Sequence, residues 1–483
     1  MKTTATLKSF LVASTILHFS FYSLHSQAAV IQQVIVRQQW PWSTDVKVEY
    51  KLAEVTSPVD ISVKAFNGET ELPLPASAIT GDLYGIAESG IGQFIIDPVK
   101  AFGNQKIAIA DFRVELELSE SAANINEVIY KVFCLTNNND CTNVTRKDIL
   151  NGKYGSYETD YAKIGDGFKS FLSDVIIWTG VTNDVKYKTT HLVMRKMPAG
   201  GVVWKGGDGT VPTVGRIPRT DQCYVKLTQD YYIGVFEITQ DQYGRLYGSN
   251  PSSFKNDDDS PYRPAENFQR YLVHGNPNPN GAKGVITGEP VAWPTNSYLH
   301  DVGLNTTLDK LRKKTGVEFD LPTAAQWEFA CRGGSTNALY SGKSQTIANV
   351  NELAWNEQNA GSATHVVGEK APNAYGLYDM LGNVSEFVHD IKVPNVTFIY
   401  SGGSGSGSSE QDPMVDPLGN DDAAAVYTNA RNRFERGGSW NNADGYWNDC
   451  RAGSACNFYQ WTWAGSYVGA RFVCPAGAQW SAH

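Results

Sequence analysis

The stretch Ala371–Asp390, APNAYGLYDMLGNVSEFVHD, sets Asp379, Gly382, Asn383 and Glu386 at relative positions one, four, five and eight. That spacing suits a hard cation, since carboxylate and carbonyl oxygens can converge where a glycine permits a sharp turn. The same residues also suit a turn followed by a short capped helix, with Asn383 and Glu386 forming part of a capping box.

The stretch resembles the GLYDM-GNVWEW signature of the formylglycine-generating enzyme (sulfatase-modifying factor) family, with Ser385 and Phe387 where the signature prefers tryptophan and another aromatic. Three further segments match the family in order. Ile233–Tyr243 (IGVFEITQDQY) resembles its early strand-turn-helix motif. Leu321–Gly334 (LPTAAQWEFACRGG) resembles LPTEAEWEYA-RGG, and Arg436–Trp440 (RGGSW) with Gly469–Cys474 (GARFVC) resembles the closing pair. The resemblance implies a loop-rich α+β fold over 187–477, distantly similar to C-type lectins.

Catalytic members of that family hold copper(I) on two cysteine thiolates, two and seven residues after the aromatic that closes RGGSY, because soft sulfur ligands suit copper(I). Here the aromatic is Trp440, and those two positions hold Asn442 and Trp447. Cys450 and Cys456 follow ten and sixteen residues after Trp440, and Cys450-Arg451-Ala452 matches the CRSA-type segment of non-oxidase relatives. The resemblance therefore makes Cys331–Cys450 a structural disulfide and argues against copper. Two function classes stay open: a non-oxidase protein binding a peptide or glycan in the old substrate groove, and a divergent oxidoreductase acting on sulfatase cysteines.

The resemblance also implies structural calcium. One site would use Asp379, Gly382, Val384 and Glu386, the middle two through backbone carbonyls. A second would use Asn349 and Val350 with Asn359 and Gly361, although its spacing is short and Asn359 stands where an aspartate is usual. Crowded aromatics follow RGGSW. Trp440 suits the core, whereas Trp447, Trp461 and Trp463 beside Asn442 could line a groove that stacks on sugars or grips a peptide.

Upstream, residues 29–120 alternate in period two (VKVEYKLA, DISVKAF, FRVELEL) between turn signals such as Asn67-Gly68, as in an immunoglobulin-like β-sandwich. Residues 121–186 carry a strand-like Glu127–Phe133 and read as a linking or inserted segment. Val302–Lys314, with Leu304, Leu308 and Leu311 at helical spacing, reads as an amphipathic helix. Thr323 reads as the N-cap of the next one.

Residues 1–28 read as a secretory signal, with Lys2 and Lys8 before the run Phe10–Phe21 and a Ser26-Gln27-Ala28 cleavage site. The expected location is secreted or periplasmic, with no other stretch long enough to span a membrane. Removing the signal takes two lysines and no acids, moving the formal net charge from −9 to −11. An acidic chain without basic clusters excludes nucleic acid and anionic membrane as partners. Seven cysteines in an exported chain should mostly pair. Cys134 and Cys141 bracket a polar loop and could close a hairpin, and the odd number leaves one of the others over. No HxxxH, HExxH or CxxC occurs, so local sequence offers no zinc or iron motif.

Overall fold

A computed structural model describes residues 2–6, 29–39, 43–103, 111–159, 176–199, 202–205, 223–275, 302–391, 412–416, 432–441, 450–452, 455–460 and 464–477. The chain divides into two compact units: Met1–Ile129 with Val144–Glu158 and Trp178–Val181, and Tyr130–Asn143 with Thr159–Ile177 and Thr182–His483.

The first unit is an all-β sandwich. Its strands are β1 (Lys2–Thr6), β2 (Val30–Gln38), β3 (Val46–Ala53), β4 (Val59–Asn67), β5 (Thr70–Leu72), β6 (Ile79–Gly81), β7 (Gly90–Ile96) and β8 (Phe112–Glu120). They form two four-stranded sheets, ordered β1-β8-β4-β5 and β2-β3-β7-β6, and the pairs all run antiparallel. The period-two pattern explains the packing: Val48, Phe94, Ile96, Val114 and Leu116 alternate inward and are almost wholly buried. Each such side chain contributes roughly 1.5–3 kcal/mol by leaving water. The backbone of Lys2–Thr6 lies beside β8, and the rest of the expected signal, 7–28, falls outside the described residues.

The described parts of 121–186 are divided between the two units. Strands β9 (Val128–Cys134) and β10 (Cys141–Thr145) enter a five-stranded sheet with β11 (His191–Met197), β12 (Tyr231–Gly234) and β13 (Val473–Pro475), ordered β10-β9-β11-β12-β13. There β11 pairs antiparallel with both β9 and β12. The edge strand β13 pairs antiparallel with β12, so the last motif segment lies beside the first one. The short helix Arg146–Leu150, capped by Thr145 and Asp148, belongs to the first unit instead.

The rest of the second unit is loop-rich α+β, as its motifs implied. A second sheet runs Ala455–Gln460, Asn432–Arg436, Ser385–Ile391, Val468–Gly469. Helix Gln240–Tyr247 starts at a Thr239–Gln242 capping box, and helix Ala324–Arg332 at a Thr323–Gln326 box, which locates the predicted cap. The helix expected over Val302–Lys314 begins later, at Thr307, with Thr306 as N-cap. Leu308 and Leu311 are buried and Leu304 is exposed. Asn383 and Glu386 cap no helix: Asn383 has φ +58° and the chain continues as strand from Ser385. Aromatic and β-branched residues at 387 and 388 suit that strand.

The expected disulfides are not formed. Cys331 is a buried thiol whose Sγ lies 3.8 Å from the Met380 carbonyl, in the same core cluster as Cys450. Cys134 is a buried thiol turned toward the Thr136 hydroxyl at 3.1 Å, while Cys141 is a partly exposed thiol. The side chains of Cys223 and Cys456 lie outside those described.

Candidate functional site

The sequence motifs converge on one buried ionic network. Glu386, on strand Ser385–Ile391, is its hub. Arg471 grips it from the GARFVC segment, with Nε 3.1 Å from Oε1 and Nη2 2.9 Å from Oε1, and Trp327 Nε1 donates to Oε2 at 2.7 Å. Arg471 Nη1 and Nη2 also donate to the Gly234 and Tyr378 carbonyls at 2.7 and 2.8 Å. The Arg471–Glu386 pair thus joins the closing GARFVC segment to the Ile233–Tyr243 and Ala371–Asp390 stretches, and through Trp327 to the Leu321–Gly334 stretch. Glu328, one residue beyond Trp327, binds Arg332 at 2.7 Å and Arg436 of RGGSW at 3.3 Å.

Local backbone makes this possible. Gly382 has φ +78°, and a Cβ there would lie 2.3 Å from the Trp355 carbonyl, so only glycine lets the chain pass. Asn383 then reaches Glu237 Oε2 through Nδ2 at 2.8 Å, while its Oδ1 accepts from the His365 amide at 2.9 Å. The Val384 amide donates to Glu237 Oε1 at 3.1 Å.

Negative charge is in surplus here. Glu237, Asp379 and Glu386 are all buried and Arg471 faces all three. Burial, then the neighbouring carboxylates, push Glu237 far above the usual carboxylate range. Burial likewise pushes Asp379 up to about 6. Asp379 accepts from the Gly368 amide at 2.6 Å through Oδ2, but its buried Oδ1 accepts no hydrogen bond.

These contacts bear directly on calcium. Of the expected set, Asp379 keeps one buried oxygen, Oδ1, that accepts no hydrogen bond, a hard donor of the type calcium takes. The Glu386 oxygens already hold Arg471 and Trp327, so the positive charge there is supplied by the protein itself. In the second expected set, the Asn359 side chain closes a turn, accepting from the Asn356 amide and donating to the Ala354 carbonyl. Asn349 is bonded to the Ser344 carbonyl, Val350 is buried, and Gly361 takes a φ of +60°.

The groove candidates Asn442, Trp447, Trp461 and Trp463 lie outside the described residues. Trp440 is half-buried, donates from Nε1 to the Ser466 carbonyl at 2.9 Å and meets Phe254 edge-on at 5.3 Å. Next to Phe254 lies a group the sequence did not single out. Glu266 is fully buried, accepts from the Ser253 and Phe254 amides at 2.6 and 3.1 Å, and is pushed up to about 7 by burial. Glu435, preceding RGG, is buried with neither oxygen hydrogen-bonded, and burial pushes its carboxyl well above the usual carboxylate range. Both were invisible as motifs because each is a single carboxylate with no second acid at a ligand or catalytic spacing.

A loop-rich α+β domain joined across its motif segments by one buried arginine–glutamate hub is the class of fold these residues define. The chain belongs to the sulfatase-modifying factor enzyme 1-like domain family, which matches residues 189–475. It is 31% identical over 222 residues to the chaperone protein LppX of Paenibacillus barcinonensis, covering 40% of this chain and 75% of that one. It is 39% identical over 80 residues to the formylglycine-generating enzyme of Mus musculus, covering 14% of this chain and 22% of the enzyme. Among solved structures, Treponema denticola variable protein 1 matches with a TM-score of 0.41 at 22% identity, over 59% of this chain and 95% of that one. No helix among the described residues is long and apolar enough to cross a membrane.

Proposed function

We propose that this protein is an exported, non-oxidase member of the family that binds an extended polypeptide or glycan with the loops around the former substrate groove. The observation that carries this reading is chemical: the two positions that need thiolates hold Asn442 and Trp447, and neither side chain binds copper(I). Among the described cysteines, burial drives the Cys331 and Cys474 thiol pKa values well up, the opposite of an activated thiolate. A relative described as a chaperone favours polypeptide over glycan as the ligand. Export rests on residues 1–28 and calcium on Asp379, where it would brace the Gly382 turn without taking part in any reaction.

The test incubates a Cys-x-Pro-x-Arg peptide with the full chain, copper and oxygen, beside an active family enzyme, and reads the product by mass spectrometry. The expected result is an unchanged cysteine together with saturable binding of unfolded polypeptide that Trp447→Ala weakens. Conversion to an aldehyde would overturn the proposal.

A further inference from the structure

Away from that hub, three side chains from distant parts of the sequence meet inside the second unit. His274 follows the short helix Arg270–Val273, Asp320 precedes the LPTAAQWEF motif, and His389 lies on strand Ser385–Ile391. All three are buried, at 4%, 1% and 2% exposure. His274 Nε2 lies 3.1 Å from Asp320 Oδ1 and His389 Nε2 lies 3.5 Å from Asp320 Oδ2. One ligand-type atom from each comes within 4.8 Å of the other two. The imidazoles cross at 80° with centroids 4.8 Å apart, so their nitrogens converge on the carboxylate while the rings avoid stacking.

We propose that His274, Asp320 and His389 form a binding site for a divalent first-row transition ion, with zinc as its type case. Two imidazoles and a carboxylate suit such an ion, whereas calcium wants oxygen alone and copper(I) wants sulfur. A tetrahedral ion with bonds of about 2 Å sets its donors roughly 3.3 Å apart, close to the two contacts on Asp320. A plain buried histidine–aspartate hydrogen bond explains the cluster less well. His274 Nε2 sits within reach of Asp320 yet is misaligned for a hydrogen bond, leaving a buried ring nitrogen aimed at the site without one.

The backbone holds the three donors ready. Asp320 exchanges both backbone hydrogen bonds with Val473, and the His389 amide donates to the Pro322 carbonyl at 2.8 Å. The Gly303 amide donates to the His274 carbonyl at 2.7 Å. Charge around the site is mixed. Asp390 and Asp320 lie near Arg270, and Arg312 Nη2 approaches Asp320 Oδ2 at 3.6 Å. An ion at the site would pin three segments distant in sequence to one point, the role the expected disulfides do not fill.

The full chain, stripped with chelator and shown folded by circular dichroism, is titrated with zinc and with cobalt(II). Expected are one equivalent bound, visible cobalt ligand-field bands, a higher melting temperature with zinc, and loss of all three in Asp320→Asn and His389→Gln. Calcium should not compete. A folded parent that binds neither ion would overturn the proposal, as would variants that bind like the parent. Where a variant fails to fold, paramagnetically shifted ring protons in the cobalt-loaded parent decide instead: two shifted imidazoles support the site and none refutes it.

Discussion

Replacing Arg471 by methionine tests whether the hub holds the family domain together. The substitution keeps much of the side chain's length but deletes its charge and its five short contacts to Glu386, Gly234 and Tyr378. Glu386 would keep only the Trp327 donor while buried near Glu237 and Asp379. Breaking a buried pair from one side costs about 3–5 kcal/mol, because the survivor is left uncompensated. Each orphaned carbonyl adds roughly 1–3 kcal/mol before relaxation of the surrounding loops reduces it. The expected net loss is therefore about 4 kcal/mol. Urea unfolding of the full chain measures it, with the second unit's transition assigned by hydrogen exchange at the Ile233 and Val473 amides. Glu386→Gln in the same background should recover at least ~2 kcal/mol, as expected for directly coupled residues. A loss below ~1 kcal/mol, or additive single and double variants, would refute the hub.

Glu266 titrates in the opposite sense to a salt-bridged acid. Its folded pKa near 7 exceeds its unfolded value, so the folded chain binds the extra proton between about pH 4.5 and 7 and stability falls as pH rises through that window. The full effect is roughly 3 kcal/mol, and the parent-minus-Glu266→Gln difference in unfolding free energy across that range isolates it from His274. That histidine is pushed down to about 4 by burial and so slopes the other way. A flat difference would show that Glu266 does not carry the slope. Calcium should raise the melting temperature of the parent but not of Asp379→Asn, whereas Asn359→Ala should respond like the parent. Equal shifts in parent and Asp379→Asn would remove calcium from the Gly382 turn.

Much of this was legible in the letters. Period-two runs marked the sandwich, and Thr323 with Gln326 marked a helix start because a capping box is local. The motif segments converge because each carries one member of a charge pair or a glycine that must be glycine. What stayed hidden depends on contacts far apart in sequence. Asp320 sits 46 residues after His274 and 69 before His389 in chain numbering, so no spacing rule could group them. Helix capping by Asn383 and Glu386 was a sound local reading, overridden by strand pairing with Arg436 and Gly469. In place of the expected Cys331–Cys450 bridge, both thiols are buried in one apolar core cluster.

Strand β9 has a practical consequence. It comes from well before the family-matched region, yet it fills one side of β11, with Leu192 opposite Phe133 and Arg195 opposite Tyr130. A fragment begun at residue 189 would keep every family motif and still present a bare row of amides and carbonyls along His191–Arg195. Such an edge recruits strands from other molecules. A shortened recombinant version cut at the motif boundary would therefore tend to precipitate, and one begun ahead of Val128 would keep that edge covered.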